Sequence, residues 1–290
     1  MAENLSKTFS AAHRDFFHLY SPQETDFKLE YMYNPENKED GGPGKYDLNN
    51  VYAYLELPLL MSKDSFLRVA IDYEMGMYDF SPVNEAPTST AKDVLHKAAF
   101  GFGMGHFFSD NLFLTAMAKP GLYSDFDNDV EMDDIQLHGQ ARLVYRINPG
   151  TELLIGADSS ETFEDVSLFP LVGFRAISED GQLHLSLTAP IEARVAWYFN
   201  PRTQIYGLFS ISGARYNADS GPTNIELDIQ THNQKLSTGA IYWIGNNISL
   251  GLEGGFFIGN EFKFKALNAG QFSGDMDPSA FLALNFGLSL

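Results

Sequence analysis

Residues 279–290, SAFLALNFGLSL, alternate between two kinds of side chain. Every second position is apolar, at Ala280, Leu282, Leu284, Phe286, Leu288 and Leu290. The intervening positions include Ala283, Asn285, Gly287 and Ser289, which are small or polar. A period of two predicts a β-strand with one apolar face. In a soluble sheet that face would cover a core, whereas in a closed transmembrane barrel it would face lipid.

The same period recurs along the chain from Asp26 onward. It is clearest over residues 67–78, where apolar residues alternate with Arg68, Asp72 and Glu74. The pattern predicts about fourteen strands, with twelve as the alternative, and the middle third of the chain contains the shortest ones. Two irregularities are expected near the end: a phase slip at residues 232–236 and a long connection over about 264–278.

The connections between these strands fall into two classes. MSKDS, SDN, NPGT, SEDGQ, NPRT and GNN are short, and most of the connections between them are longer and polar. Short turns on one rim and long loops on the other are typical of outer-membrane barrels, with the short turns on the periplasmic side. We therefore expect an all-β, antiparallel, up-and-down transmembrane barrel over residues 26–290.

Composition excludes several other classes. The formal net charge of −19 argues against a nucleic-acid partner, which needs a basic footprint. No apolar run is long enough for a membrane-spanning helix, and the absence of cysteine excludes disulfides and thiolate metal sites. The N-terminus lacks the apolar core of a signal peptide, so for an exported protein we expect the signal to have been removed.

Charged residues alternate with apolar ones in strand after strand, and they are the strongest functional signal. Charges on the second face are expected where a barrel surrounds water and are costly in a dry core. Two interpretations stay open: a hydrated lumen with rings of both signs, or oppositely charged groups that pair and close the lumen. The predicted pore-lining residues are Lys28, Glu30, Glu56, Arg68, Asp72, Glu74, Lys119, His138, Arg142, Arg146, Glu152, Arg175, Glu192, Arg194 and Glu253.

Other motifs give weaker signals. The glycines of GFGMG, at positions 101, 103 and 105, lack the strand-to-helix context of a phosphate loop and are expected to make room inside the barrel. Asp125, Asp127 and Asp129 match the start of a calcium loop, but the required glycine and closing glutamate are absent. No catalytic constellation is recognisable, so no enzyme activity and no cofactor are predicted. Aromatic residues near strand ends are expected to form interfacial girdles, namely Phe107, Phe108, Tyr145, Trp197, Tyr198, Tyr242 and Trp243.

The alternating strands, the NPGT and NPRT turns and the terminal LALNFGLSL resemble bacterial outer-membrane β-barrel proteins. Length and strand number are similar to those of the monomeric fourteen-stranded porins. The resemblance rests on pattern over residues 26–290, and one departure is that the chain ends in Leu290 where these proteins usually end in Phe. It implies a Gram-negative outer-membrane protein that is assembled by the outer-membrane assembly machinery, contacts lipid or lipopolysaccharide, and is a monomer.

The function expected from these observations is a porin-like passive channel for small polar solutes or ions. The alternative is a closed structural or binding barrel whose acidic extracellular loops meet a partner, and an outer-membrane hydrolase is a third reading. Residues 1–25 differ from the rest because apolar residues recur there at helical spacing. A disordered lead, a short helix at the barrel mouth and a plug stay open for this segment.

Overall fold

The structure, a computed structural model, describes residues 25–38, 45–62, 64–81, 92–126, 130–160, 168–219, 226–266 and 270–290. The N-terminal segment predicted as a helix or plug lies outside these residues, except for Thr25. The strands are β1 (Asp26–Lys38), β2 (Lys45–Met61), β3 (Ser65–Ser81), β4 (Lys92–Phe107), β5 (Leu112–Ser124), β6 (Ile135–Asn148), β7 (Thr151–Ser159), β8 (Phe169–Ile177), β9 (Leu183–Ala189), β10 (Glu192–Asn200), β11 (Thr203–Asp219), β12 (Glu226–Ile244), β13 (Ile248–Ala266), β14 (Gly270–Met276) and β15 (Ser279–Ser289).

The strands form one closed antiparallel ring. Each strand from β1 to β13 pairs with the next, and β15 pairs with both β13 and β1. β14 pairs with the far end of β13 and is separated from β15 only by Asp277 and Pro278, so the two act as one interrupted strand. Fifteen segments therefore occupy fourteen positions in the wall, and the predicted fold class is confirmed.

Among the described residues, no helix is long and apolar enough to span a membrane.

Side-chain exposure reverses the arrangement of a soluble sheet. In β15, Leu282 and Leu284 are 52% and 56% exposed, whereas Phe281 and Ala283 between them are 5% and 2% exposed. Leu282 and Leu284 therefore point outward, and Phe281 and Ala283 point into the ring. Exposed apolar residues recur on strands around the ring, among them Leu29, Leu57, Ile71, Phe102, Leu137, Ile155, Val172, Val195, Ile205, Leu236 and Leu252.

The two rims of the barrel differ. The rim that carries the short turns, here called the turn side, also carries both ends of the ring, where Thr25 and Leu290 exchange two backbone hydrogen bonds of 2.9 Å. The opposite rim, here called the loop side, carries the longer connections. One connection departs from the rule, because β9 and β10 are joined on the loop side by Pro190 and Ile191 alone.

The wall is uneven in height. β7 to β10 contain 7–9 residues, whereas β11 to β13 contain 17–19. A tilted transmembrane strand needs about 9–11 residues. The short strands therefore reach little beyond the hydrocarbon layer, and the tall strands extend past it on the loop side.

The irregularity expected at residues 232–236 occurs at that level but on the partner strand, and most of the connection expected over 264–278 is strand. β12 keeps one phase from Ile229 to Trp243, and the extra residue lies on β13, where Gln234 pairs with Gly259 but Lys235 pairs with Phe257. The predicted connection over 264–278 is mostly strand, since β13 continues to Ala266 and β14 follows. The β-bulge therefore lies on β13, opposite Gln234 and Lys235, and shifts the alternation of that strand alone.

The β8–β9 turn shows how a short connection is fixed on the turn side. Gly181 adopts a φ of +71°, which favours glycine. The Asp180 carboxylate accepts hydrogen bonds from the Ser178 hydroxyl and from the Gln182 backbone N–H, the latter at 3.0 Å. These two donors lower the pKa of the exposed Asp180 side chain and hold the turn in shape.

The glycine motif of β4 does not form a loop. Gly101, Gly103 and Gly105 lie within the strand at inward positions. A Cβ atom at Gly105 would lie 2.2 Å from the Phe66 ring, and one at Gly101 would lie 3.1 Å from the Ala70 Cβ. These glycines therefore make space for side chains of β3 inside the barrel.

Candidate functional site: the barrel lumen

All fifteen residues predicted to line a pore occupy inward positions of their strands. Each lies between outward residues of the alternating pattern, and strand pairing places Lys28 beside Tyr54 and Gly287, which are also inward. The structure brings most of them into contact with other lumen residues rather than leaving them separate. Whether they line a water-filled pore stays a prediction.

The Glu56–Arg68 ion pair joins β2 to β3. Both side chains are almost fully buried, and the Tyr54 hydroxyl donates a hydrogen bond to the same carboxylate. The Arg68 guanidinium also lies 5.0 Å from the centre of the Phe66 ring. Removing charges from water is costly unless they are paired, so these contacts explain how two charges are accommodated inside the wall.

A second group, here called the Asp72 cluster, joins β3, β4 and β5. Asp72 Oδ2 lies 2.8 Å from Lys119 Nζ, and Lys97 Nζ lies 3.7 Å from both Asp72 and Glu74. The Asn50 side-chain amide donates a 2.7 Å hydrogen bond to Glu74. Two carboxylates and two ammonium groups are thus gathered in one patch with no net charge.

Two further ion pairs occupy other parts of the lumen. Lys235 Nζ lies 2.9 Å from Glu253, and the Tyr206 hydroxyl donates a 2.5 Å hydrogen bond to the same carboxylate. Arg146 Nη2 lies 2.9 Å from Glu152 Oε1. Opposite charges that are separate in the sequence are therefore adjacent in space, since register places them on neighbouring strands.

Lys97 and Lys235 were missed by sequence reasoning. Lys97 shares a face with the inward Ala99, but it lies before Ala98, where the regular apolar alternation of β4 begins. Lys235 was missed because a phase slip was expected at that point of β12, whereas the strand is regular there. Each of the two lysines lies an even number of positions from an inward glycine of its own strand, Gly101 for Lys97 and Gly239 for Lys235. Counting every second residue from these glycines would have identified both lysines as inward.

Two of the cavities lined by the described residues lie inside the barrel. The first, here called the turn-side cavity, has a volume of about 350 Å³ and lies between β1, β10–β13 and β15, beside Asn246 and Asn247 of the β12–β13 turn. The second, here called the mid-barrel cavity, has a volume of about 280 Å³. Lys97, Lys119 and His138 line it from one side, and Ile211 to Gly213 of β11 line it from the other.

Apolar side chains fill the loop-side part of the lumen, which sequence reasoning did not anticipate. β5 and β11 approach each other across the ring at Ser124 and Asn217, and the Tyr123 and Tyr216 rings lie 6.1 Å apart. This loop-side apolar cluster consists of Met32, Leu48, Tyr78, Leu95, Tyr123, Tyr216, Ala218, Ile229, Phe257, Phe262, Phe281 and Ala283. The lumen is therefore narrowed at this level rather than open throughout.

The predicted aromatic girdle is correct for only part of its members. Phe108, Tyr145, Trp197 and Tyr242 are exposed on the outer face, as interfacial aromatics should be. The other three, Phe107, Tyr198 and Trp243, face inward. Tyr198 stacks on Trp243 at a ring distance of 5.9 Å. A position near a strand end does not show whether a side chain points outward or inward, because that depends on its place in the alternation of the strand.

The calcium interpretation receives no support from the described residues. Asp127 and Asp129 lie outside them, and Asp125 is buried at the end of β5. Within the described part of the chain, no group of three or more His, Cys, Asp or Glu side chains could hold a metal ion.

A serine–histidine hydrogen bond is present on the turn side. Ser65 Oγ lies 2.7 Å from His106 Nδ1, and the His106 ring packs edge-on against Phe108. No carboxylate among the described residues contacts the other ring nitrogen. A nucleophile and base without an orienting acid do not form a hydrolase triad.

Fold and lumen together define a transmembrane β-barrel of the outer-membrane type. The chain belongs to the family described as "Domain of unknown function (DUF6268)", which matches residues 21–289. No curated protein matches the chain.

Similar solved structures share the barrel fold. The COG4313 outer membrane channel from Pseudomonas putida F1 is 10% identical, with 92% of this chain and 96% of that chain covered and a TM-score of 0.51. A FadL homologue from Pseudomonas aeruginosa is 7% identical, with 92% and 89% covered and a TM-score of 0.49. The Pseudomonas putida toluene transporter TodX is 8% identical, with 97% and 92% covered and a TM-score of 0.46. At such low identity the first similarity supports the fold alone.

Proposed function

We propose that the protein is a passive outer-membrane channel of narrow bore for small polar solutes or ions. The observation that carries the proposal is the inner face of the barrel, where charged side chains from many strands border two cavities of about 350 and 280 Å³. A barrel with only a structural role would gain stability from apolar residues at these positions, since buried ion pairs are costly to form. A solute route explains why charges are retained there.

The pairing of the charges supports a selective lumen rather than a wide pore. Glu56–Arg68, Asp72–Lys119 and Glu253–Lys235 fix the inner surface without a large net charge. Such a surface suits neutral or mixed-charge polar solutes, because neither sign of ion meets a strong barrier. Channel activity in the similar COG4313 protein is in keeping with this proposal.

A closed structural or binding barrel is the second candidate, and one observation favours it. The loop-side apolar cluster and the contact between β5 and β11 narrow the direct path along the barrel axis. In the channel, this part of the lumen has to open transiently, through movement of side chains such as Tyr123 and Tyr216. In the structural barrel it remains shut.

Conductance of the purified full chain in planar lipid bilayers distinguishes the two candidates. We expect discrete current steps of small amplitude, because the cavities are narrow and the loop-side part is constricted. Substituting Tyr216→Ala removes one of the two rings that meet across the lumen, so it should increase the conductance or the open fraction. A wild-type barrel that inserts and shows the heat-dependent gel shift of a folded protein, yet carries no current, would contradict the channel.

A further inference from the structure

The turn-side cavity contains charged side chains that differ from those in the rest of the lumen. Lys28 and Glu30 reach it from β1, and Glu192 and Arg194 reach it from β10. Four strands of the ring separate β1 from β10, so the two pairs approach the cavity from different parts of the wall. Each pair offers one acid and one base at inward positions two residues apart.

These four charges make no ion pair with one another or with other described residues, since none has an oppositely charged atom within 4.0 Å. This contrasts with Glu56, Asp72, Glu152 and Glu253, each of which has a basic partner. Glu253 also lines the cavity and is paired there with Lys235, whereas Lys28, Glu30, Glu192 and Arg194 line it without an ion-pair partner among the residues described. Charges lining a polar cavity are stabilised by water or by a ligand that supplies the opposite charges.

Arg194 is held in place but keeps binding capacity. Its NH2 group donates a 3.0 Å hydrogen bond to Gln204, and its guanidinium carbon lies 4.7 Å from the centre of the Tyr206 ring. Its Nε–H is buried and has no acceptor within the described part of the chain. A buried donor without an acceptor is costly, and a guanidinium fork matches the two oxygens of a carboxylate.

The size and the remaining lining of the cavity limit the ligand. A volume of about 350 Å³ is near the lower end of small-molecule sites, which suits a solute with few heavy atoms. Tyr52, Tyr206 and Trp243 add aromatic surface. The Cα atoms of inward residues two positions apart along a strand are separated by roughly 7 Å. The acid and the base of one such pair, for example Glu192 and Arg194, can therefore contact the basic and the acidic group of the same small molecule.

We propose that the turn-side cavity is a selectivity site for small zwitterions, solutes of the α-amino-acid type that carry one carboxylate and one ammonium group. Arg194 binds the carboxylate, and Glu192 or Glu30 accepts hydrogen bonds from the ammonium group. This inference rests on the proposed channel function and names its substrate class. A zwitterion brings both missing counter-charges at once, whereas a simple ion would leave one sign of lining charge unbalanced.

Tryptophan fluorescence tests the site independently of transport. The chain contains two tryptophans, of which Trp197 faces outward and Trp243 lines the cavity. In a Trp197→Phe background, the refolded full chain is titrated with L-alanine and with lactamide, its uncharged isomer. We expect a saturable change in Trp243 fluorescence with alanine and none with lactamide.

Substitutions of Arg194 in the same background test the assigned contact. Arg194→Met should weaken alanine binding by on the order of tenfold or more, since a hydrogen bond to a charged group contributes about 1.5–3 kcal/mol. Arg194→Lys keeps the charge but not the fork, so its loss should be smaller. Glu192→Gln should also weaken binding, which guards against a folding defect specific to Arg194.

Two results would overturn the inference: equal responses to alanine and lactamide, or unchanged alanine binding in Arg194→Met. Failure of the channel proposal appears in a different measurement, as a silent folded barrel in the planar bilayer. A conducting barrel without an alanine-specific response therefore rejects the zwitterion site and leaves the channel intact.

Discussion

Replacing Arg68 by methionine is expected to lower the free energy of unfolding of the barrel by about 3–5 kcal/mol, the usual effect of removing one partner from a buried ion pair. Arg68 is 4% exposed, and its loss leaves the Glu56 carboxylate inside the wall with only the Tyr54 hydroxyl to stabilise its charge. Urea-induced unfolding of the refolded barrel, followed by tryptophan fluorescence, measures the change.

Two further variants make this test specific. The double substitution Glu56→Gln with Arg68→Met should recover much of the lost stability, because the unpaired charge is gone. Arg215→Met removes the partner of Asp228 at a pair in which the arginine side chain is 49% exposed, and it should cost about 1 kcal/mol or less. If Arg68→Met unfolds like the wild type, water reaches Glu56 and this part of the lumen is open.

Replacing Leu284 by arginine is expected to destabilise the barrel by about 2–4 kcal/mol, the effect of a cationic side chain near the middle of the lipid-facing surface. Leu284 lies in β15 between β1 and β13 and is 56% exposed on the outer face. Folding into lipid vesicles, titrated with urea, measures the loss. Water cannot solvate the new charge at that depth without distorting the bilayer.

The neighbouring residue provides a matched control. Asn285 lies one position further along β15 and lines the turn-side cavity. An arginine at position 285 would point into the lumen, so Asn285→Arg should cost far less than Leu284→Arg. Equal losses at the two positions would show that the two faces of β15 do not differ in environment.

Much of the fold could be predicted from the sequence because its signal is local. A period of two in residues 279–290 and 67–78 reports directly which side chains share a face, and short turns such as NPGT mark one rim. The polar face of the strands carries too many charges for a dry core. The sequence therefore predicts that this face lines the inside of the barrel and that the apolar face contacts lipid. An even number of antiparallel strands also predicts that the first and last strands, β1 and β15, can pair to close the ring.

The errors arose where a local pattern does not determine the answer. The bulge on β13 shifts the parity of that strand, whereas the sequence pattern predicts an irregularity on β12, at residues 232–236. Tyr198 and Trp243 lie near strand ends like true girdle aromatics, yet parity places both inside. In each case a shift of one residue along the strand moves a side chain from the outer face to the inner face, and amino-acid composition does not reveal such a shift.

The state of the lumen was the least predictable feature. Alternation identified the inward charges, but their pairing depends on register between strands, which brings Asp72 to Lys119 across 47 positions of sequence. The loop-side apolar cluster combines residues from nine strands of the wall, and none of them stands out in its own strand. Whether a charge of the turn-side cavity is paired likewise depends on inter-strand register, which the alternation within one strand does not report.

The central claim is that this chain is a membrane-spanning barrel with its large apolar residues in lipid and its charges inside. Because the chain contains no cysteine, single cysteines can be introduced at each position from 280 to 288 and labelled with a fluorophore. Quenching by brominated phospholipids in vesicles then reports lipid contact residue by residue. We predict strong quenching at positions 280, 282, 284, 286 and 288 and weak quenching at the positions between them. A profile without this period of two, or a protein that stays folded and monomeric in water without detergent, would contradict the account.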